Sequence, residues 1–350
     1  MSVEISRRRF GLVAGAAALA SGLPRPALAQ APTRLKMILN WRYQGPQAWF
    51  FIAQDKGYFR EEGLEIEMDQ GNGSGAAVGA VAGGSYDLGF GDINALITLV
   101  ARGQAGAATP VAISAPYNKP PFTIAVKADS PIKTPKDLEG RTIGGPANDS
   151  ALKLFPAFAK LAGVDASKVN ITNMQPNLRE QMLQRGQVEG AFGFVNTIRF
   201  SAKLVGIDPD RDFRFINFGD YGMDLYSNAI IASRKLASEN PQALKGFLRA
   251  MDRGIKDMLK DYDAAIETVA KREPLINKAI EKERLIATLQ AEMSHPETAT
   301  IGLGAVDPER FRKSIAIVCE AEGLPRVPAP EEVFNAAFLP PLADRVKTVG

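Results

Sequence analysis

The chain is poor in the residues that metal and nucleophilic chemistry use. Its 350 residues include one cysteine, Cys319, and one histidine, His295. A single cysteine excludes an internal disulfide and leaves Cys319 to be read as a buried small hydrophobe. A zinc site wants three or four Cys or His ligands, which are not present. A Ser-His-Asp arrangement would have to draw its base from His295, which precedes Pro296 in a polar stretch without a supporting motif. No GxGxxG, GxxxxGK[ST] or HExxH occurs. Carboxylates remain available for acid–base work, but no spacing singles out a pair. No catalytic group is therefore expected, and no cofactor.

Long apolar runs are also missing. The longest, Gly11 to Gly22, falls short of the roughly 20 residues a membrane span needs. It follows Arg7-Arg8-Arg9-Phe10 and precedes Ala27-Leu28-Ala29, and this order reads as an export signal cleaved near Ala29. The paired arginines and the alanine-rich core point to the twin-arginine route. An ordinary amphipathic N-terminal helix is the alternative. Residues 1–29 carry Arg7, Arg8, Arg9 and Arg25 against Glu4, which accounts for the whole formal charge of +3. The rest is neutral, so no basic footprint for nucleic acid is present. The expected location is the periplasm, and the length beyond Ala29 suits about two domains.

What is present alternates. Arg34–Leu39, Leu64–Gln70, Asp87–Asp92 and Ala107–Pro116 read as strands, with helical patterns between them from Gln47 to Arg60, after Gly75, and from Ile93. Pro120-Pro121 interrupts regular helix. A second series then runs through strands at Phe122–Val126, Arg141–Gly144, Asn170–Met174, Gly190–Val195 and Phe213–Phe218. After a further strand, Tyr226–Ser233, the chain is helical over Pro241–Leu259, Tyr262–Arg272, Leu275–Ala291 and Pro308–Ala321. The fold class is α/β: two lobes with mostly parallel sheets and a helical C-terminal tail. Lobe 1 is expected at 33–117 plus 225–345 and lobe 2 at 118–224.

In such lobes the loops after strands face a shared cleft. Asn40, Trp41, Arg42 and Tyr43 follow the first strand directly. The two rings suit stacking on a flat solute, and Arg42 suits a bidentate hold on an acid group. Trp49, further along the helix, suits the core. Gly73 and Ser74 open a helix whose amides offer an anion or carbonyl site, or form a turn capped by Ser74. Asp92 and Asn94, and Asn148, Asp149 and Ser150 in the second series, stand at strand ends as ligand groups or helix caps. Asn196 follows another strand end. Tyr117 and Tyr226 flank the crossings, where hinge packing competes with contact.

Several segments resemble a known family. Lys56-Gly57-Tyr58-Phe59 with Glu62-Gly63-Leu64, Tyr86-Asp87-Leu88-Gly89, and Ser130-Pro131-Ile132 with Asp137-Leu138-Glu139-Gly140 occur in order. Gly186 to Ala191 and Tyr226-Ser227-Asn228-Ala229 continue the series. The pattern is similar to periplasmic solute-binding proteins of ABC importers, for sulfonates, taurine, nitrate and thiamine-pyrimidine precursors. The resemblance implies a type II periplasmic binding fold, hinge closure on one small solute, and a membrane permease with its ATPase as partner. It implies no cofactor, and a monomer is expected. Glu189 stands where the family has Asp, and Asn148-Asp149-Ser150 where sulfonate and taurine binders carry a histidine. The missing histidine and the added Asp149 argue against a simple oxyanion. The aromatic, amide and acid groups at the strand ends suit a planar, nitrogen-bearing or aromatic solute such as a pyrimidine-type thiamine precursor. An aromatic carboxylate or sulfonate held by Arg42 is the alternative. The related fungal pyrimidine synthases imply an enzyme instead, and a periplasmic sensor subunit would share the binding chemistry.

Overall fold

The computed structural model describes residues 31–103 and 109–349. The expected export signal lies outside them. Strand β1 (Thr33–Ile38) buries Leu35 and Met37, and β2 (Leu64–Asp69) buries Leu64, Ile66 and Met68 while exposing Glu65 and Glu67. This period of two presents one face of each strand to the core. Between them, α1 (Ala48–Asp55) inserts Trp49, Phe50 and Phe51, all fully buried. The pattern had suggested one helix to Arg60. Gly57 takes a left-handed φ of 78° instead, and a separate turn, α2 (Tyr58–Glu61), follows. Next come α3 (Ser74–Ala82), β3 (Leu88–Asp92), α4 (Ile93–Ala101) and β4 (Val111–Ser114).

The chain then crosses to a second series. This holds β5 (Phe122–Lys127), β6 (Thr142–Gly145), α5 (Ser150–Leu161), β7 (Asn170–Asn173), α6 (Arg179–Gln184), β8 (Gly190–Phe194), α7 (Val195–Leu204), α8 (Pro209–Asp212) and β9 (Phe213–Asn217). It returns with β10 (Asn228–Ala232). The first sheet is ordered β2-β1-β3-β10-β4 and the second β7-β6-β8-β5-β9. β1 pairs in parallel with β2 and β3, and β6 in parallel with β7 and β8. Only β10 and β5 run against their neighbours. Each is the first strand after a crossing, so it enters its sheet from the opposite end.

The helical tail is α9 (Arg234–Glu239), α10 (Pro241–Lys260), α11 (Tyr262–Ala270), α12 (Lys278–Glu292), α13 (Thr298–Ile301), α14 (Pro308–Ala321) and α15 (Pro330–Val333). α10 and α11 cover α1. Gly254 permits the first of these contacts, because a Cβ there would lie 2.2 Å from the Trp49 carbonyl oxygen. α12 and α14 reach further. α12 packs on α7 of the second series and on the Gly45–Gln47 turn of the first, and α14 packs on both α4 and α5. One apolar core continues from Ile93, Leu96 and Ile231 to Phe122, Phe155 and Phe192, so the two sheets share buried surface at the crossing.

Candidate functional site

Five strand ends and the helices that follow them meet between the sheets. From the first side come Asn40 and Trp41 after β1, and Gly73 and Ser74 at the start of α3. From the second come Asp149 and Ser150 at the start of α5, Arg179 opening α6, and Phe194 and Thr197 at β8 and α7. Together they wall a small pocket. Its enclosed space is about 20 Å³, enough for one water and too small for a ring. The sides touch directly: a Cβ on Gly73, whose φ is 151°, would stand 2.6 Å from the Asn148 carbonyl oxygen. Only glycine allows that approach.

The helix starts differ in how their amides are used. Asp92 caps α4 by accepting from the Asn94 amide at 3.2 Å, and Asp149 caps α5 by accepting from Ala151 at 2.9 Å. Neither α3 nor α7 has a side-chain cap. Ser74, expected as a possible cap, is the first residue inside α3, and Gly73 holds the cap position without a side chain to offer.

The charge here is mostly negative and mostly buried. Burial pushes the Asp92 carboxyl up to about 6, and the nearby Asp149 carboxylate adds to the rise. Burial raises Asp149 too, opposed by Arg179 and by its two helix amides. Arg179 is 1% exposed, donates to Glu180 at 2.9 and 2.7 Å, and stands 3.7 Å from Asp149. Asp149 and Glu180 thus face the Arg179 guanidinium, and a second buried guanidinium, Arg284, lies near Glu180.

A family model, NMT1/THI5 like, matches residues 46–265. The chain belongs to the NMT1/THI5-like family. Three curated relatives illustrate its range. The riboflavin-binding protein RibY of Chloroflexus aurantiacus is 24% identical, over 90% of this chain and 88% of that protein. The formylaminopyrimidine-binding protein of Halalkalibacterium halodurans is 22% identical, over 86% and 89%. The 4-amino-5-hydroxymethyl-2-methylpyrimidine phosphate synthase of Aspergillus parasiticus is 24% identical, over 71% and 74%. Among solved structures, the periplasmic aliphatic sulphonate binding protein SsuA of Escherichia coli superposes with a TM-score of 0.63. The two are 17% identical over 87% of this chain and 92% of that one. The fold is that of the periplasmic binding proteins, as the resemblance implied.

Within this family fold the expected site residues divide. Asn40, Trp41, Gly73, Ser74, Asp149 and Ser150 line the pocket. Trp41 is also a wall of two larger cavities that open to solvent. One, about 520 Å³, adds Arg42, Asn72, Pro146, Asn148 and Asn177; the other is about 370 Å³ and includes Arg42, Glu180 and Leu275. Arg42 is exposed at this rim and does not reach the interior. Tyr43 touches the 370 Å³ cavity, but its ring packs edge-on against Phe51 and its hydroxyl donates to the Met68 carbonyl at 2.7 Å. It is therefore held by its own sheet.

Tyr117 and Tyr226 are corrections. Tyr117 is buried edge-on against Phe90 in the first core. Tyr226 donates to Glu297 at 2.9 Å, accepts from the Asp307 amide at 2.8 Å and lies under Arg310. The crossing consumes both rings. Asn94 spends its amide hydrogens on Asp92 and on the Tyr226 carbonyl, and Asn196 donates to Glu292 at 3.1 Å. Trp49 lies in the core, as expected.

A set of buried charges was missed: Arg179, Glu180, Glu281, Arg284 and Glu292. Arg179 opens α6 and Glu292 closes α12, so each opposes the helix dipole where it sits. That placement is a usable signal once helix boundaries are known. Burial pushes the Glu292 carboxyl up to about 8, against its bond from Asn196 and the nearby Arg284.

Proposed function

We propose that this protein is a periplasmic solute-binding protein that captures a flat, nitrogen-bearing ring and delivers it to a membrane importer. One observation carries the reading. Trp41 from the first side and Phe194 from the second line the same pocket, whose two lining charges are Asp149 and an Arg179 already bonded to Glu180. An aromatic wall on each side suits a flat ring. Carboxyl groups suit amino and ring N–H donors, and they repel an anion. The runner-up, an acid held by Arg42, loses ground because Arg42 stands at the exposed rim. The riboflavin- and formylaminopyrimidine-binding relatives lend support, since both of those solutes are nitrogen heterocycles.

The mechanism is capture by closure. Lobe 1 (33–117 and 225–345) and lobe 2 (118–224) part at the Gly73–Asn148 contact, which widens the 20 Å³ pocket for a ring entering by the rim cavities. Contacts to both lobes then favour the form closed around it. The export signal at 1–29 places the protein in the periplasm, as a monomer whose closed form docks on an ABC permease served by its ATPase. Some relatives are named as pyrimidine phosphate synthases. His295 lines none of the cavities described above and stands 3.5 Å from Glu297. We therefore read binding, not turnover, as the activity.

Thermal unfolding of the chain from Gln30 against aminopyrimidines, flavins, aromatic carboxylates, sulfonates, taurine and nitrate tests this. A solute at 100 times its Kd adds about 2.7 kcal/mol of stability. A heterocycle is expected to raise Tm, and Trp41→Ala to abolish the shift. A shift by acids alone, surviving in Trp41→Ala, would sink the ring reading.

A further inference from the structure

Beside the ring pocket lies another cavity, about 480 Å³, between α4 and α5 and bounded by Ala321 and Glu322 at the end of α14. Ser150 belongs to the wall of both, so the two spaces meet at its hydroxyl. The volume is in the range of small-molecule sites, about 300–1,000 Å³.

The buried part of this wall is rich in acceptors. Asn94, 1% exposed, gives its amide hydrogens to Asp92 Oδ1 and the Tyr226 carbonyl, which leaves its Oδ1 without a donor. Ser150, 3% exposed, sets its Oγ near the Asp92 carboxyl, which it helps to ionise, but outside full hydrogen-bond geometry. Asp92 takes its bonds from Asn94 through Oδ1. Buried oxygens of this kind are normally paired, and leaving them unpaired is costly. The nearby Thr98 hydroxyl supplies none of them, since it is turned to the Asn94 carbonyl and to Glu322.

We propose that the solute has two parts: a ring in the pocket between Trp41 and Phe194, and an uncharged hydroxylated arm that runs past Ser150 into the cavity between α4 and α5. This rests on the ring reading above and names the class of solute. An apolar arm would leave the Asn94 and Ser150 oxygens unpaired. The cavity's two cations lie at its outer edge, Arg102 beside Glu322 at 3.6 Å and Lys153 exposed, so an anionic arm at the buried end would meet Asp92. Hydroxyls both donate and accept, so they satisfy Asn94 Oδ1, Asp92 and Ser150 Oγ together.

Calorimetric titration of the chain from Gln30 with pairs that share a ring tests it: lumichrome and riboflavin, adenine and adenosine, uracil and uridine. In a pair whose ring binds, the hydroxylated member is expected to bind at least tenfold tighter. Ala95→Leu, which fills the second cavity alone, is expected to erase that gain and leave the bare ring's affinity unchanged. Ala95→Ser, nearly isosteric, is expected to keep the gain. An arm that adds nothing, or a gain that survives Ala95→Leu, overturns the two-part solute and leaves the ring pocket standing. If none of the three rings binds, both readings fall.

Discussion

Two polar clusters lie where the sheets meet, built from the same residue types and finished differently. At the crossing, Arg310 donates to Asp224 at 3.1 and 2.7 Å, to Glu297 at 2.9 Å and to the Asn118 carbonyl at 2.7 Å, with the Tyr226 ring beneath it. All three guanidinium nitrogens are used, and the Tyr226 hydroxyl both donates and accepts. Around the pocket, Ser150 Oγ and Asn94 Oδ1 are buried without partners, and Arg179 stays 3.7 Å from Asp149. Unpaired buried polar groups cost stability, and a few also occur elsewhere, as at Trp49 Nε1 in the core and Asn118 Oδ1 near the crossing. The saturated cluster holds the chain together. On the proposed reading, a solute completes the other.

The largest effect expected from breaking this contrast is at the crossing. Arg310→Ala leaves the exposed Asp224 without its ion pair and Glu297 with only the Tyr226 hydroxyl and His295 beside it, which should cost about 2–3 kcal/mol. Denaturant unfolding should show this as a lower midpoint, while calorimetric affinity per folded molecule stays close to wild type. A midpoint within error of wild type would show that the crossing does not depend on its saturation.

Glu292 gives the next effect, and it depends on pH. The folded chain holds this proton up to about pH 8, whereas the ordinary value is 4.5. The unfolded chain ionises first, so the contribution is fully present below 4.5 and is lost as pH rises towards 8. The Asp92 carboxyl behaves alike over a lower window, from 3.8 to about 6. Glu292→Gln should match wild type in Tm at pH 4.5 and exceed it by several degrees at pH 8.5. Parallel Tm curves across that range would contradict a buried, protonated Glu292.

The smallest effect sharpens the comparison with one atom. Ser314 Oγ in the crossing donates to the Asp224 carbonyl at 3.2 Å and the Arg310 carbonyl at 3.0 Å, whereas Ser150 Oγ has only the nearby Asp92 carboxyl, outside full hydrogen-bond geometry. Ser314→Ala should cost about 1 kcal/mol and Ser150→Ala less than about 0.5, both read from denaturant midpoints. Equal costs would erase the distinction between the clusters.

Most strands and long helices were legible because their signals are local. The alternation in Leu64–Asp69, the cap before α4 and Pro308 opening α14 lie within a few residues of what they specify. The strand-end loops followed from the same order, which is why Asn40, Trp41, Gly73, Asp149 and Ser150 could be placed at the pocket. The tyrosines could not. Nothing near Tyr43 or Tyr226 tells that one hydroxyl is taken by Met68, 25 residues away, and the other by Glu297, 71 away.

The sequence by itself determined the order of strands and helices, the two series and the loops that close them, since periodicity and turn chemistry act over short range. Only the tertiary structure decided which charges go inside and what answers them. Asn196 meets Glu292 across 96 residues and Arg310 meets Asp224 across 86. A charge is buried only when packing of distant segments removes its water, and no local pattern records that.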